Sequence, residues 1–287
     1  MNRRQFVIKG SQAAALLALV PNLSFSNNLS LESPVFNEFG IQLWTLRDII
    51  YKDPLETIRQ VGQMGFKQIE SFEGEKGIFW GKNPKEFKSF LDDNDMSLIG
   101  SHCNWKEDLE KEAYAMANIG AKYLICPWLG PQRSIDDFKR FADEFNKAGE
   151  ICKKAGVKFA YHNHDYSFKE LDGQIPQQVM MDMTSPDLVD FEMDIYWVVT
   201  AGIDPVEYIK KYKNRFKLCH IKDRIIDSKE PFASCTLGEG GIDYKSMLPS
   251  VKELGMEYFI YEQEKYNDYG VLANADKSAN YLMKFTK

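Results

Sequence analysis

The stretch Lys158-Phe-Ala-Tyr-His-Asn-His164 decides the fold. Its residues alternate, so Phe159 and Tyr161 share one face of a strand while Ala160, His162 and His164 share the other. Before it comes an amphipathic stretch, residues 136–155, closed by Gly156, where a left-handed residue ends a helix. This helix, glycine, strand order recurs outward in both directions. Strands are predicted at 40–44, 67–72, 97–102, 123–127, 158–162, 189–194, 217–221 and 258–262, with helical patterns at 55–64, 105–118, 136–155, 205–213, 244–254 and 274–285. Gly65, Gly120 and Gly255 close three of those helices just before the next strand. Eight units, with no Gly-rich phosphate fingerprint after the first strand, predict an α/β fold of the (β/α)8 TIM barrel type and not an open doubly wound sheet.

The barrel is expected to occupy residues 39–287 as a single domain. Residues 1–26 read differently: Arg3-Arg4 is followed by Phe6 and Lys9, an apolar run over 13–20 and the small-residue site Ser24-Phe25-Ser26. That is the pattern of a twin-arginine-type signal peptide, which implies an exported, periplasmic protein. The apolar run is shorter than the roughly 20 residues that span a bilayer, so no membrane insertion of the mature form is expected. Residues 27–38 are polar and contain proline, and are expected to be a flexible lead-in. The segments 74–85 and 224–241 follow the second and seventh strands and belong on the active-site face of a barrel.

The formal charge of −6 becomes about −9 once the three basic residues of the signal are removed. An acidic chain does not neutralise phosphates, so no nucleic-acid partner is expected. The cysteines Cys103, Cys126, Cys152, Cys219 and Cys235 are odd in number and form no CxxC pair. They read as small core residues and not as a disulfide or zinc framework.

All four histidines, His102, His162, His164 and His220, stand at the C-terminal ends of predicted strands. Strand periodicity adds ionisable partners on matching faces: Glu192 with Asp194, His220 with Lys222, and Glu262 with Glu264. Imidazole and carboxylate ends converging from consecutive strands make a shell for one divalent metal ion with nitrogen and oxygen donors.

The runs Gly40-Ile-Gln-Leu-Trp44, Tyr161-His-Asn-His-Asp165, Phe191-Glu-Met-Asp-Ile-Tyr-Trp197, Cys219-His-Ile-Lys-Asp223, Gly238-Glu-Gly240 with Asp243, and Ile260-Tyr-Glu-Gln-Glu264 together resemble the sugar phosphate isomerase/epimerase family, the xylose isomerase-like TIM barrels of the AP endonuclease family 2 superfamily. The resemblance covers nearly the whole chain after the signal. It implies a metal (manganese, magnesium, cobalt or zinc) held by His162, Asp194, His220 and Glu262. His162 departs from the family, which usually carries glutamate there, so the ligand charge falls by one and a mechanism using two opposed glutamates does not transfer directly.

The candidate catalytic residues are Glu262, Lys222 and His164: in the family the resemblance names, the strand-eight glutamate works as an acid or base, and Lys222 is placed to donate to a substrate oxygen or neutralise an enediolate, while which group is the base stays open. Trp44, Glu70, His102, Trp128, Trp197 and Glu264 are expected to bind substrate, the tryptophans as walls for sugar faces. No anion cradle is visible, so an unphosphorylated carbohydrate is expected. The leading expectation is a metal-dependent sugar isomerase or epimerase acting by proton transfer next to a carbonyl. The alternatives are a lyase or dehydratase that eliminates from a keto-sugar or keto-glycoside, and a non-catalytic carbohydrate-binding protein. A homo-oligomer is compatible with the sequence, which does not specify it. For export, replacing Arg3 and Arg4 together by lysine is expected to leave the precursor in the cytoplasm, because the export receptor reads the pair itself and not its charge; fractionation finding the variant in the periplasm at the parent level would reject the twin-arginine assignment.

Overall fold

A computed structural model describes residues 33–230, 232–266 and 269–287. The signal read in residues 1–26 lies outside the described residues, as do residues 27–32 of the lead-in. The barrel strands are β1 (Gly40–Gln42), β2 (Gln68–Phe72), β3 (Ser97–His102), β4 (Tyr123–Cys126), β5 (Lys158–His162), β6 (Val189–Asp194) and β7 (Phe216–Ile221), with β10 (Tyr258–Tyr261) as the last. They close in the order β1-β10-β7-β6-β5-β4-β3-β2, every pairing parallel. A short antiparallel pair, β8 (Asp223–Arg224) and β9 (Ser234–Cys235), lies in the segment after β7. The eight expected strands are therefore all present, shifted by at most two residues at their ends.

Helices α1 (Pro54–Gln63), α3 (Leu109–Asn118), α4 (Ile135–Ala155), α7 (Pro205–Lys211), α8 (Tyr244–Glu253) and α9 (Gly270–Leu282) correspond to the predicted periodic stretches. Three more lie outside the predicted stretches: α2 (Pro84–Asp93), α5 (Pro176–Met183) and α6 (Ile195–Thr200). Helix α2 starts on a capping box, Asn83 with Glu86 and Pro84 at the first turn. Helix α3 begins four residues later than expected, after Asp108 in a left-handed conformation. This frees Trp105 to pack edge-on against Phe145 and Phe159. Among the described residues no helix is long and apolar enough to cross a membrane.

The lead-in is not flexible throughout. Val35 and Phe36 are buried, Val35 N–H donates to Phe285 O at 2.8 Å, and the Phe36 ring stacks on Phe259 at 4.7 Å. The two apolar side chains buried there overrode the polar composition of their neighbours.

Inside the barrel, Ile99, Tyr123, Ile125, Ala160, Leu218 and Ile260 form one buried cluster. It floors the polar site, because His220 follows Leu218 by two residues on the same face of β7. Leu218→Ala should therefore lower the unfolding free energy by about 2–5 kcal/mol, as deletion of a fully buried leucine does. Guanidinium titration is the check; a loss under about 1 kcal/mol would mean that the floor relaxes without support from this side chain.

Candidate active site

Strand alternation and register assemble the site. On β6 the apolar Val189, Phe191 and Met193 alternate with Asp190, Glu192 and Asp194, so the acids share one face. Across the sheet His162 is in register with Glu192, and Asp194 with His220. The strand ends are held by side chains from the same motifs. Asn163 and Asp194 exchange hydrogen bonds, Asn163 Nδ2 to Asp194 O at 3.3 Å and Asp194 N to Asn163 Oδ1 at 3.2 Å. The Tyr244 hydroxyl accepts from Lys222 N at 3.0 Å and donates to Lys222 O at 2.7 Å. The buried Asp223 carboxylate accepts from the backbone N–H groups of Gly238, Gly240 and Ile242, pinning the loop after β7 over the barrel end.

The polar groups form two tiers. In the inner tier, Glu192 Oε2 lies 3.0 Å from His102 Nε2, 3.0 Å from His162 Nδ1 and 3.4 Å from His220 Nε2. Glu70 Oε1 accepts from Gln42 Nε2 at 2.6 Å and lies 2.8 Å from His220 Nε2 and 3.2 Å from His102 Nε2. In the outer tier, Glu262 Oε2 is 3.2 Å from His220 Nδ1 and 2.6 Å from Lys222 Nζ. Lys222 Nζ also stands 3.0 Å from Asp194 Oδ2 and 3.4 Å from Glu264 Oε2. His162 and His220 thus each turn one ring nitrogen to the inner carboxylates and the other to the outer ones, where Asp194 Oδ2 is 3.7 Å from His162 Nε2 and 4.0 Å from His220 Nδ1.

Burial and charge sort the protonation states. Burial works to raise Glu70, but the His220 and His102 charges outweigh it and hold the carboxyl well below the ordinary range. Glu192 goes the other way, pushed up to about 8 by burial and by the charge of Glu70. Burial lowers His102, yet Glu70 and Glu192 lift it to about 9. His220 is likewise raised against its burial by Glu192, Glu262 and Glu70. Burial, and the positive charges of its neighbours, depress His162 far below the ordinary histidine range. His164 falls to about 3 through burial and Lys222, so its ring is neutral. Lys222 is raised against burial by Asp194, Glu262 and Glu264. Burial raises Glu262, but Lys222 and His220 override it and keep the carboxylate ionised, whereas burial keeps Glu264 raised.

Two overlapping groups have the convergent donors that a cation needs: Asp194, His220 and Glu262 in the outer tier, and His102, His162, Glu192 and His220 in the inner one. The outer group, with His162 Nε2 facing it, suits a divalent ion. Its donors are oxygen and imidazole nitrogen, Asp194 Oδ2 is paired with the Lys222 ammonium at 3.0 Å, and each imidazole has a carboxylate on its far nitrogen. A metal-bound histidine is held in place by this pattern.

A cavity of about 720 Å³ opens onto the tiers, lined by His102, His162, His164, Glu262 and Glu264 and walled by Trp44, Phe72, Trp105 and Trp128. None of its lining side chains is arginine or lysine. Several residues expected to bind substrate are placed there: Trp44 and Trp128 are exposed at the rim, and His102 and Glu264 reach the cavity. Two are not. Glu70 is fully buried behind His220 and does not line the cavity. Trp197 is also buried off the cavity, because α6 starts at its N-cap Asp194 and turns the indole behind His164, ring centroids 5.5 Å apart. Lys222 reaches the ligand oxygens from within the core and has no exposed surface. Glu192 joins the constellation although sequence reasoning gave it only a face; its signal was the spacing of two from Asp194.

Comparison with known proteins agrees with this architecture. A sugar phosphate isomerase/epimerase from Parabacteroides distasonis ATCC 8503 superposes with a TM-score of 0.76 at 29% identity, covering 88% of this chain and 100% of that one. Inosose dehydratase of Clostridium perfringens is 28% identical over 145 residues, 45% of this chain and 48% of the relative. That of Lacticaseibacillus casei is 24% identical over 225 residues, 65% and 75% respectively. The chain thus spans about half the length of the first of these curated relatives. Residues 58–287 match the family described as xylose isomerase-like TIM barrel, and the chain, with its closed eight-stranded parallel barrel, belongs to that family.

Proposed function

We propose that this protein is a metal-dependent enzyme that moves a proton at a carbon next to the carbonyl of an unphosphorylated sugar or cyclic polyol, as a sugar isomerase or epimerase does. The observation that carries this is the placement of Glu262 and Glu264, two residues apart beyond the end of β10, both lining the cavity, with Lys222 between them and their proton affinities driven apart. A divalent ion at His162, Asp194, His220 and Glu262 would polarise the carbonyl and its neighbouring oxygen and so acidify the adjoining C–H.

The ionised Glu262 then takes the proton, and Lys222 balances the negative charge that collects beside it. Glu264, whose proton is favoured by burial, returns one. Neutral His164, with Nδ1 buried and unpartnered, offers a hydrogen bond to a substrate hydroxyl. Trp44 and Trp128 give apolar faces to the sugar, and a lining without arginine or lysine suits a substrate without phosphate. The paired arginines of the signal add the periplasm as the place of action.

A second reading, β-elimination from a keto-sugar, is favoured by the likeness to inosose dehydratases and by His162, which leaves no carboxylate on β5 to act from another side. There Glu262 takes the same proton and Glu264 protonates the departing hydroxyl. Product analysis separates the two, since isomerisation conserves mass and elimination releases a second product.

Two outcomes are expected. His220→Ala should abolish stoichiometric binding of a divalent ion while the circular dichroism of the barrel is kept; full occupancy by metal analysis would remove His220 from the ligands. In deuterated water, turnover of the true substrate should place deuterium at the carbon beside the carbonyl, and Glu262→Gln should reduce the rate at least about a hundredfold. The absence of both wash-in and any isotope effect with substrate deuterated at each candidate carbon would sink proton transfer and favour metal-assisted hydrolysis.

A further inference from the structure

Behind the outer tier lie two buried carboxylates that reach neither the cavity nor any arginine or lysine among the described residues. Glu70 and Glu192 are both fully buried. Each uses one oxygen only: Glu70 Oε2 and Glu192 Oε1 have no hydrogen-bond partner. A carboxylate kept for fold stability alone would be paired through both oxygens, because an unsatisfied buried one is costly. The oxygens that are used, Glu70 Oε1 and Glu192 Oε2, converge on imidazole nitrogens.

The pairing is specific in direction. Glu192 takes His162 Nδ1 at 3.0 Å, which leaves His162 Nε2 facing Asp194; Glu70 takes His220 Nε2 at 2.8 Å, which leaves His220 Nδ1 facing Glu262. A neutral imidazole carries one proton. Where that proton is committed to the inner carboxylate, the outer nitrogen presents its lone pair.

We propose that Glu192 is a positioning residue that sets the tautomer of His162: by holding Nδ1 it turns the Nε2 lone pair toward a cation at the outer tier, so that the His162–Glu192 pair acts there as one relay. This rests on the metal reading above and deepens it. The relay places Glu192 one imidazole away from the ion while keeping it off the substrate. Register makes it available, since His162 and Glu192 are neighbours across the β5–β6 pair.

The test is the affinity for Mn²⁺ or Zn²⁺ alone, by chelator competition with purified protein, in a two-by-two set: parent, Glu192→Gln, His162→Glu, and the double variant. Glu192→Gln should weaken binding about 10–100-fold, as loss of an outer partner of a metal-bound histidine does. His162→Glu should also bind poorly, because two buried carboxylates then face each other. In that background Glu192→Gln should reverse its effect and tighten binding at least tenfold, since the new carboxylate no longer needs the relay. A merely structural glutamate would lower affinity, or nothing, in both backgrounds alike. The proposal is overturned if Glu192→Gln changes parent affinity less than twofold, or if the sign of its effect is the same in both backgrounds. Should Glu192→Gln fail to fold alone, comparison of His162→Glu with the double variant still decides. Parent protein that binds neither ion sinks the metal reading as well, which sets that failure apart from a parent that binds while Glu192→Gln is silent.

Discussion

The structure depends on one constraint, the presence of Glu70, Glu192, Asp194 and Glu262 inside a closed barrel where little water reaches them. An ionised carboxylate removed from water costs several kcal/mol unless partners offset it. Here the imidazoles of His102 and His220 and the ammonium of Lys222 do so, spaced so that each cation serves more than one acid: His102 touches Glu70 and Glu192, His220 touches Glu70, Glu192 and Glu262, and Lys222 touches Asp194, Glu262 and Glu264. The site is therefore one coupled unit. The apolar floor of Leu218, Ile260 and their neighbours, the Tyr244 hold on Lys222 and the Asn163 clasp on Asp194 all keep that unit from relaxing. Removing one member would leave its partners buried and uncompensated.

Much of this was legible in the sequence, for physical reasons. A barrel strand is a short apolar run, its preceding helix must end in a left-handed residue, and a side-chain period of two tells which residues share a face. That placed all eight strands within two residues and brought His162, Asp194, His220 and Glu262 to one end. A period of two does not tell depth. Glu70 and Glu262 both come near the ends of strands, yet Gln42 and His220 hold Glu70 in the inner tier while Glu262 reaches the cavity. Trp197 failed for a different reason: it was read as a sugar-facing wall from its residue type and its place just after the strand, but α6 begins directly on Asp194 and carries the indole behind His164. Helices α2 and α5 went unread although each starts on a first-turn proline and α2 also on a capping box.

The site also shows how one environment separates like groups. Glu262 and Glu264 are chemically identical and two residues apart. Glu262 lies against both His220 and Lys222, at 3.2 and 2.6 Å, and loses its proton readily; Glu264 has only Lys222, at 3.4 Å, and burial prevails. Two identical side chains thus acquire opposite proton affinities from position alone, which is what the proposed taker and giver of protons require. His164 illustrates the complementary case. Desolvated and near an ammonium, it is held neutral, which suits hydrogen bonding to a hydroxyl.

Stereochemistry follows from which strands supply those groups. Inversion at a carbon requires one group to remove a proton from one face and another to deliver it to the opposite face. On β5, where an opposed carboxylate would stand, His162 has one nitrogen committed to Glu192 and the other turned toward Asp194, so it has no free carboxylate oxygen to offer the substrate. Both proton-carrying carboxylates that line the cavity near Lys222 come instead from the end of β10. Within the proposed chemistry, removal and return of the proton then occur from one side. Such one-sided transfer suits proton movement between adjacent carbons, or elimination with proton and hydroxyl leaving on the same face. Within the proposed chemistry, an imidazole held by Glu192 keeps a donor for a cation and withdraws a base from the substrate, so the same substitution would keep the proposed metal site and narrow the reaction.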